Sequence, residues 1–219
     1  MLICGVDEAG RGSVIGPLIV AGIIIKKSNI KKLTEIGVRD SKLLSRKKRN
    51  ILFYEILDIV EFTCIYKIEP GIIDNNVYLK NLNKLEGKVM ATIINHLSAD
   101  VTYVDSCDVN INRYTELIRS HLKSSNKNRR IIVMHKADIL NIVVSAASII
   151  AKVIRDKEIE LIQREFEKIG SGYPSDKKTM EFIKTCIIDQ NNCPSFIRKS
   201  WKPVKNIFNI KQQKIYDFI

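Results

Sequence analysis

The chain has 219 residues, 45% of them hydrophobic, enough for one α/β core with a smaller appendage. Lys and Arg number 36 against 24 Asp and Glu, a formal charge of +12 that points to a polyanionic partner such as nucleic acid or an anionic membrane surface. No run of 18 apolar residues and no signal-peptide pattern is present, and the five cysteines (Cys4, Cys64, Cys107, Cys186, Cys193) include no Cys-x-x-Cys pair; membrane insertion, secretion, a disulfide framework and structural zinc are therefore disfavoured, and a cytoplasmic protein is expected.

In chain order, residues 2 to 7 read as a strand that ends at an acidic pair, and 17 to 25 (PLIVAGIII) as a second, β-branched strand reached through a tight turn, which predicts an antiparallel start. Helical spacing begins near Ser45 in SRKKRNILFYEIL, and a third strand follows at 62 to 68. The stretch from Gly71 to Leu97 reads as helix, with Asp74 or Asn81 as N-cap candidates. Short strands are expected at 101 to 105 and 131 to 134, each followed by a helix-length segment, which is the spacing of parallel crossovers. Residues 141 to 163 form one long helix in which Ser145, Ala146, Ala147 and Ser148 are small enough for close packing. Beyond Gly170 the composition shifts to Gly, Pro, Asn and Lys. The expected fold is α/β, with a mixed five-stranded sheet flanked by helices and a C-terminal helical segment.

The first turn, GVDEAGRGSVIG at 5 to 16, approximates a dinucleotide-binding fingerprint, yet Pro17 opens another β run where that fingerprint needs a helix. An ordinary hairpin turn with solvated charges is the alternative. Against it, Asp105 ends one apolar strand and Asp138 lies just past another, and strand ends in such a sheet are where sites assemble. Carboxylates gathered there repel one another unless a cation holds them. Hard oxygen donors without His or Cys partners favour Mg²⁺ or Mn²⁺, and Asp7, Glu8, Asp105 and Asp138 together can hold two divalent cations about 3.5–4 Å apart. Because successive strand residues face opposite sides, Asp7 and Glu8 can share one site only if the strand ends or bulges there, which Gly10 allows.

With VRDSKLLS at 38 to 45, YVDS at 103 to 106, HKAD at 135 to 138, VVSAASIIAKVIRD at 143 to 156 and GSGYPSD at 170 to 176, the chain resembles ribonuclease HII, the type 2 ribonuclease H, from residue 2 to about Trp201. HKAD and FIRKSW (196 to 201) are closer to the archaeal and eukaryotic branch. Ser13, where proline is expected, and Ile139-Leu140-Asn141, in place of an aromatic-proline stretch, depart from the pattern without touching a carboxylate. The resemblance implies a ribonuclease H-like fold with Asp7, Glu8, Asp105 and Asp138 as the catalytic, metal-binding quartet. The implied activity is cleavage of RNA in RNA–DNA hybrids and 5′ to single ribonucleotides in duplex DNA, leaving 3′-hydroxyl and 5′-phosphate ends, by a monomer acting in replication and ribonucleotide excision repair. Gly10, Arg11 and Gly12 would read the ribose 2′-hydroxyl, and Tyr173 would stack on the deoxyribose beyond it. Lys42, within a segment (Lys26 to Arg49) of ten basic and two acidic residues, is the expected phosphate contact. His135 is either a proton shuttle or a structural neighbour.

The domain organisation expected is a catalytic core at 1–165, a substrate-binding helical segment at 166–211 and a tail at 212–219. In that tail Gln212, Ile215 and Phe218 resemble the motif with which repair enzymes dock on a sliding clamp, with Ile219 standing where a second aromatic belongs. The alternatives are docking in a groove of the clamp and packing back on the enzyme itself.

Overall fold

The computed structural model describes residues 1–190 and 192–216, with side chains through Gln212 apart from Asn191. In chain order its elements are strands β1 (Leu2–Ala9) and β2 (Leu18–Lys26), helices α1 (Ile30–Glu35) and α2 (Arg46–Ile59), strand β3 (Phe62–Ile68), helices α3 (Pro70–Tyr78) and α4 (Leu82–Leu97), strand β4 (Val101–Asp105), helix α5 (Ile111–Ser120), strand β5 (Arg130–Met134), and helices α6 (Ala137–Leu140), α7 (Ile142–Glu165), α8 (Lys177–Lys184) and α9 (Lys202–Tyr216). The sheet order is β3-β2-β1-β4-β5. β1 and β2 are antiparallel, whereas β1, β4 and β5 run parallel. The mixed five-stranded sheet is the one expected from the sequence.

Two compact units divide the chain. The first comprises Met1–Ala9, Ile19–Lys67 and Asn83–Ile154; the second comprises Gly10–Leu18, Ile68–Leu82 and the residues from Arg155 onward. In the first unit the sheet is covered on both faces, which explains why β2 reads as a continuous apolar run. Ile19, Ala21, Ile23 and Ile25 of β2 share a core with Leu52, Phe53 and Ile56 of α2 and with Val143, Ala146, Ala147 and Ile150 of α7, while Ile93 and Leu97 of α4 lie over Gly22 on the other face. A Cβ on Gly5 would come within 2.5 Å of the Val143 backbone, so the approach of β1 to α7 requires glycine there. The Ser45 hydroxyl caps α2 by accepting from the Lys48 amide.

The second unit gathers three loops around an apolar cluster that includes Val14, Ile15, Ile169, Ile183, Ile197 and Val204. The Val14 and Ile15 amides donate to the Gly172 carbonyl at 2.8 and 3.2 Å, Gly16 donates to Phe196 at 2.9 Å, and Arg198 to Val14 at 2.9 Å. No helix among the described residues is long and apolar enough to cross a membrane.

Two local expectations are corrected. The helix expected from 71 to 97 is two helices, interrupted where Lys80 takes a left-handed conformation (φ 56°). Asp74 is no N-cap: it sits buried within α3 and accepts from the Lys199 and Ser200 amides at 2.8 and 2.9 Å and from the Ser200 hydroxyl. Its partners lie more than a hundred residues away, so local spacing could not reveal them. Asn81 directly precedes α4.

Candidate active site

β1 does not stop at its acidic pair. Its antiparallel register with β2 runs unbroken through Asp7↔Ala21 and Glu8↔Val20 to Ala9↔Ile19, with neither the end nor the bulge that the sequence suggested. Its parallel partner β4 is lost earlier, after Val6↔Val104. From Asp7 onward that edge of β1 is unpaired by β4, and the two side chains can bend round it from opposite faces. Ligand atoms of Asp7, Glu8 and Asp105 accordingly lie within 4.8 Å of one another.

Asp105 ends β4, and its Oδ1 accepts from the Ala137 amide at 2.6 Å. That amide is delivered by Lys136, which turns the chain out of β5 in the left-handed region (φ 57°). Asp138 follows in the first turn of α6 and is buried; its backbone carbonyl accepts from the Ser145 hydroxyl, and its Oδ2 takes a 3.0 Å ion pair from Lys42 Nζ. Asp7 is 4% exposed. Its Oδ1 accepts from the Glu8 amide at 2.8 Å.

Burial above all, then repulsion from Asp105 and Asp138, pushes the Asp7 carboxyl up to about 7 against the lowering influence of Ser148 and the Glu8 amide. Burial also raises Asp105, partly opposed by the Ala137 amide. Lys42 is raised, chiefly by its bond to Asp138. Burial, then Glu86 and Glu8, push up the Cys107 thiol, which stays protonated and offers no thiolate ligand beside the acids. What converges here is an oxygen-only set of carboxylates that repel one another, which suits a hard divalent cation. Exposed His135 makes a favourable electrostatic contact with Asp105.

The other residues singled out from the sequence lie in the second unit. Gly10 (φ 86°) opens a turn closed by the Ser13 amide and hydroxyl, both donating to its carbonyl, so the serine that departs from the family pattern has a local use. Arg11 is half-buried, and Gly12 is exposed with nothing among the described residues within 4 Å of where a Cβ would stand. Both line an open hollow of about 330 Å³ together with Val77, Leu82, Ser200, Trp201 and Lys202. Tyr173 is half-buried, its ring 4.4 Å from the Arg155 guanidinium. Gln212 is exposed near the end of α9; the Ile215 side chain and Phe218 lie outside the described residues.

Sequence reasoning missed two buried arginines. Arg155 donates to the Ser171 carbonyl at 2.6 Å while it stacks on Tyr173. Arg198, fully buried, donates to the carbonyls of Gly16 (2.9 Å) and Arg11 (3.0 Å) and lies over the Trp201 ring. Both stand inside quoted motifs, VIRD and FIRKSW, and an arginine directly after two apolar residues is the signal that could have found them.

A family model described as Ribonuclease HII matches residues 4–204. The chain is 44% identical over 207 residues to the Ribonuclease HII of Cenarchaeum symbiosum, covering 94% of this chain and 98% of that one. Among solved structures it resembles the ribonuclease H2 from Pyrococcus horikoshii, with a TM-score of 0.89 at 38% identity over 97% of this chain and 100% of that one. It also resembles the ribonuclease in the PCNA:RNase HII complex from Archaeoglobus fulgidus, with a TM-score of 0.84 at 39% identity over 94% and 96% of the two chains.

Proposed function

Because the chain belongs to the ribonuclease HII family and is an endoribonuclease hydrolase, we propose that it cuts the RNA strand of RNA–DNA hybrids and the phosphodiester 5′ to a single ribonucleotide in duplex DNA, at Asp7, Glu8, Asp105 and Asp138. The observation that carries this reading is the convergence of three carboxylates within 4.8 Å, with a fourth near enough to repel them. Two divalent cations, Mg²⁺ or Mn²⁺, would be held by this quartet and, when bound, activate water and stabilise the leaving 3′-oxygen.

The remaining roles belong to the chain's own residues. Gly10, Arg11 and Gly12, which follow Ala9 directly, present backbone to the ribose 2′-hydroxyl. Nothing among the described residues requires Gly12 to lack a side chain, so its openness serves whatever approaches from outside. Tyr173, steadied by Arg155, stacks on the deoxyribose of the junction. Lys42 neutralises Asp138 before the cations arrive and is free to take a phosphate oxygen once they do. Asp105→Asn and Asp138→Asn should each lower Mg²⁺-dependent cleavage at a single ribonucleotide by a factor on the order of 10³, with native circular dichroism; activity within about tenfold of wild type would overturn the quartet.

Gln212, Ile215 and Phe218 are proposed to dock on a trimeric sliding clamp, an assignment supported by the clamp complex of the Archaeoglobus relative. Calorimetric titration of the host's clamp with the full chain, and with a chain lacking residues 212–219, tests it. Unchanged binding after truncation, or none before, would remove the clamp.

A further inference from the structure

One buried guanidinium holds the turn that carries the expected ribose reader. Residues Gly10 to Ser13 form a β-turn closed by the Ser13 amide, which donates to the Gly10 carbonyl at 3.2 Å, with Arg11 and Gly12 at its corners. Arg198, fully buried, donates from Nη1 to the Arg11 carbonyl at 3.0 Å and from Nε to the Gly16 carbonyl at 2.9 Å. Its own backbone is pinned on both sides. Its amide donates to the Val14 carbonyl at 2.9 Å and Ile197 pairs with Ile15, while Asp74 on α3 accepts from the Lys199 and Ser200 amides at 2.8 and 2.9 Å. All of these residues belong to the second unit.

The peptide between Arg11 and Gly12 is the one such a turn can flip. Types I and II share the closing hydrogen bond and differ by rotation of this central peptide through about 180°; type II needs a positive φ at the third residue, which glycine adopts freely. Gly12 does not have a positive φ, whereas Gly10 and Gly16 do (86° and 81°), so type II is not the form taken. The bond to Arg198 supplies a reason, because it draws the Arg11 carbonyl toward the interior. In a trans peptide the N–H lies opposite the C=O, so the Gly12 amide is aimed away from Arg198, on a residue that is exposed. A charge is costly to bury. Arginine suits this place because its planar fork spans both carbonyls in fixed directions, where an ammonium is a point donor.

We propose that Arg198 is a positioning residue for the 2′-hydroxyl reader: it locks the Arg11–Gly12 peptide so that the Gly12 amide is presented as a donor to the ribose oxygen, and Asp74 fixes the segment that carries it. This role rests on the reading of residues 10 to 12 as the ribose contact. Ser200 and Trp201 of the anchored segment line the open hollow together with Arg11 and Gly12, so the reading face and its support are two walls of one recess. A deoxyribose placed there leaves the Gly12 amide without an acceptor and is rejected for that cost. A peptide free to flip escapes the cost, and the discrimination between the two sugars falls.

Single-turnover cleavage of a duplex with one ribonucleotide, with the same duplex in all-deoxy form as competitor, gives the apparent affinity for each in Mg²⁺. Wild type, Arg198→Met and Asp74→Asn are compared at a temperature where circular dichroism shows them folded. Arg198→Met should weaken the half-saturating concentration for the ribonucleotide duplex about tenfold while the competitor's inhibition constant stays within about twofold. Asp74→Asn, which keeps the shape but loses one acceptor, should shift the same ratio in the same direction by less. If Arg198→Met does not fold, Asp74→Asn carries the test. A folded variant in which both constants move alike, or neither moves, overturns the positioning role alone, since a merely structural defect does not distinguish the two sugars. Equal constants for the two duplexes in wild type remove the 2′-hydroxyl reading, and this role with it.

Discussion

Replacing Asp7 by asparagine should make the metal-free protein more stable while it destroys cleavage. The folded carboxyl, 4% exposed and beside Asp105, holds its proton up to about 7 against an ordinary value of 3.8. At about 1.4 kcal/mol for each tenfold in proton affinity, that displacement costs the ionised native state about 4 kcal/mol. Asp105 shares part of the repulsion, so the gain expected from Asp7→Asn at pH 8 is about 2–4 kcal/mol. The sign follows from the proton count. Between roughly pH 4 and 7 the native state carries a proton that the unfolded chain has lost, so wild-type stability falls as pH rises through that window and levels off above it. Asparagine keeps the acceptor for the Glu8 amide and removes the charge. Urea denaturation followed by circular dichroism in chelator, at pH 5 and pH 8, measures both effects. Wild type should lose stability between the two and Asp7→Asn should lose clearly less, the remainder coming from the raised Asp105, while saturating Mg²⁺ should stabilise wild type alone because only its native state binds the ion. A variant no more stable than wild type at pH 8, or a wild-type profile flat from pH 5 to 8, would refute the reasoning.

Gly12→Ala should leave stability within about 0.5 kcal/mol, since a Cβ there meets nothing, yet lower the single-turnover rate at an embedded ribonucleotide more than about tenfold; an unaltered rate would take the residue out of 2′-hydroxyl recognition. Tyr173→Ala should reduce cleavage at a single ribonucleotide more than cleavage within a long RNA–DNA hybrid, and equal losses would count against junction stacking. Arg198→Met strips donors from the Gly16 and Arg11 carbonyls and a cation from the Trp201 ring, so urea midpoints should report a loss of about 2–5 kcal/mol; less than about 1 kcal/mol would mean that the loop satisfies those carbonyls another way.

Short strands bounded by polar residues were legible to the residue: 62–68 and 101–105 are β3 and β4 as read. The acid cluster was legible because each carboxylate ends or follows an apolar run, and parallel strands deliver such ends to one edge of the sheet. Interruptions that depend on a single backbone torsion were not. Lys80 splits 71–97 with no glycine or proline to announce it. The strand boundary at the acidic pair was misread because the sequence cannot show that β1 keeps β2 beyond Glu8 while losing β4 after Val6. Ser145 and Ser148 were read as small residues for close packing; their hydroxyls in fact meet the Asp138 carbonyl and the Ser41 hydroxyl, and spacing along one helix does not reveal a partner on another element. Arg198 illustrates the same limit, for its acceptors at Arg11 and Gly16 lie more than 180 residues earlier in the chain.

Cleavage of one duplex with a single ribonucleotide, set beside the same duplex made wholly of deoxynucleotides, tests most directly whether this chain reads a 2′-hydroxyl and cuts next to it. In Mg²⁺ the first should be nicked once, 5′ to the ribonucleotide, leaving a 3′-hydroxyl and a 5′-phosphate, and the second should stay intact. Cleavage of both would describe a nuclease blind to the sugar, and binding without cleavage of either would describe a nucleic-acid-binding module; each result contradicts the function proposed.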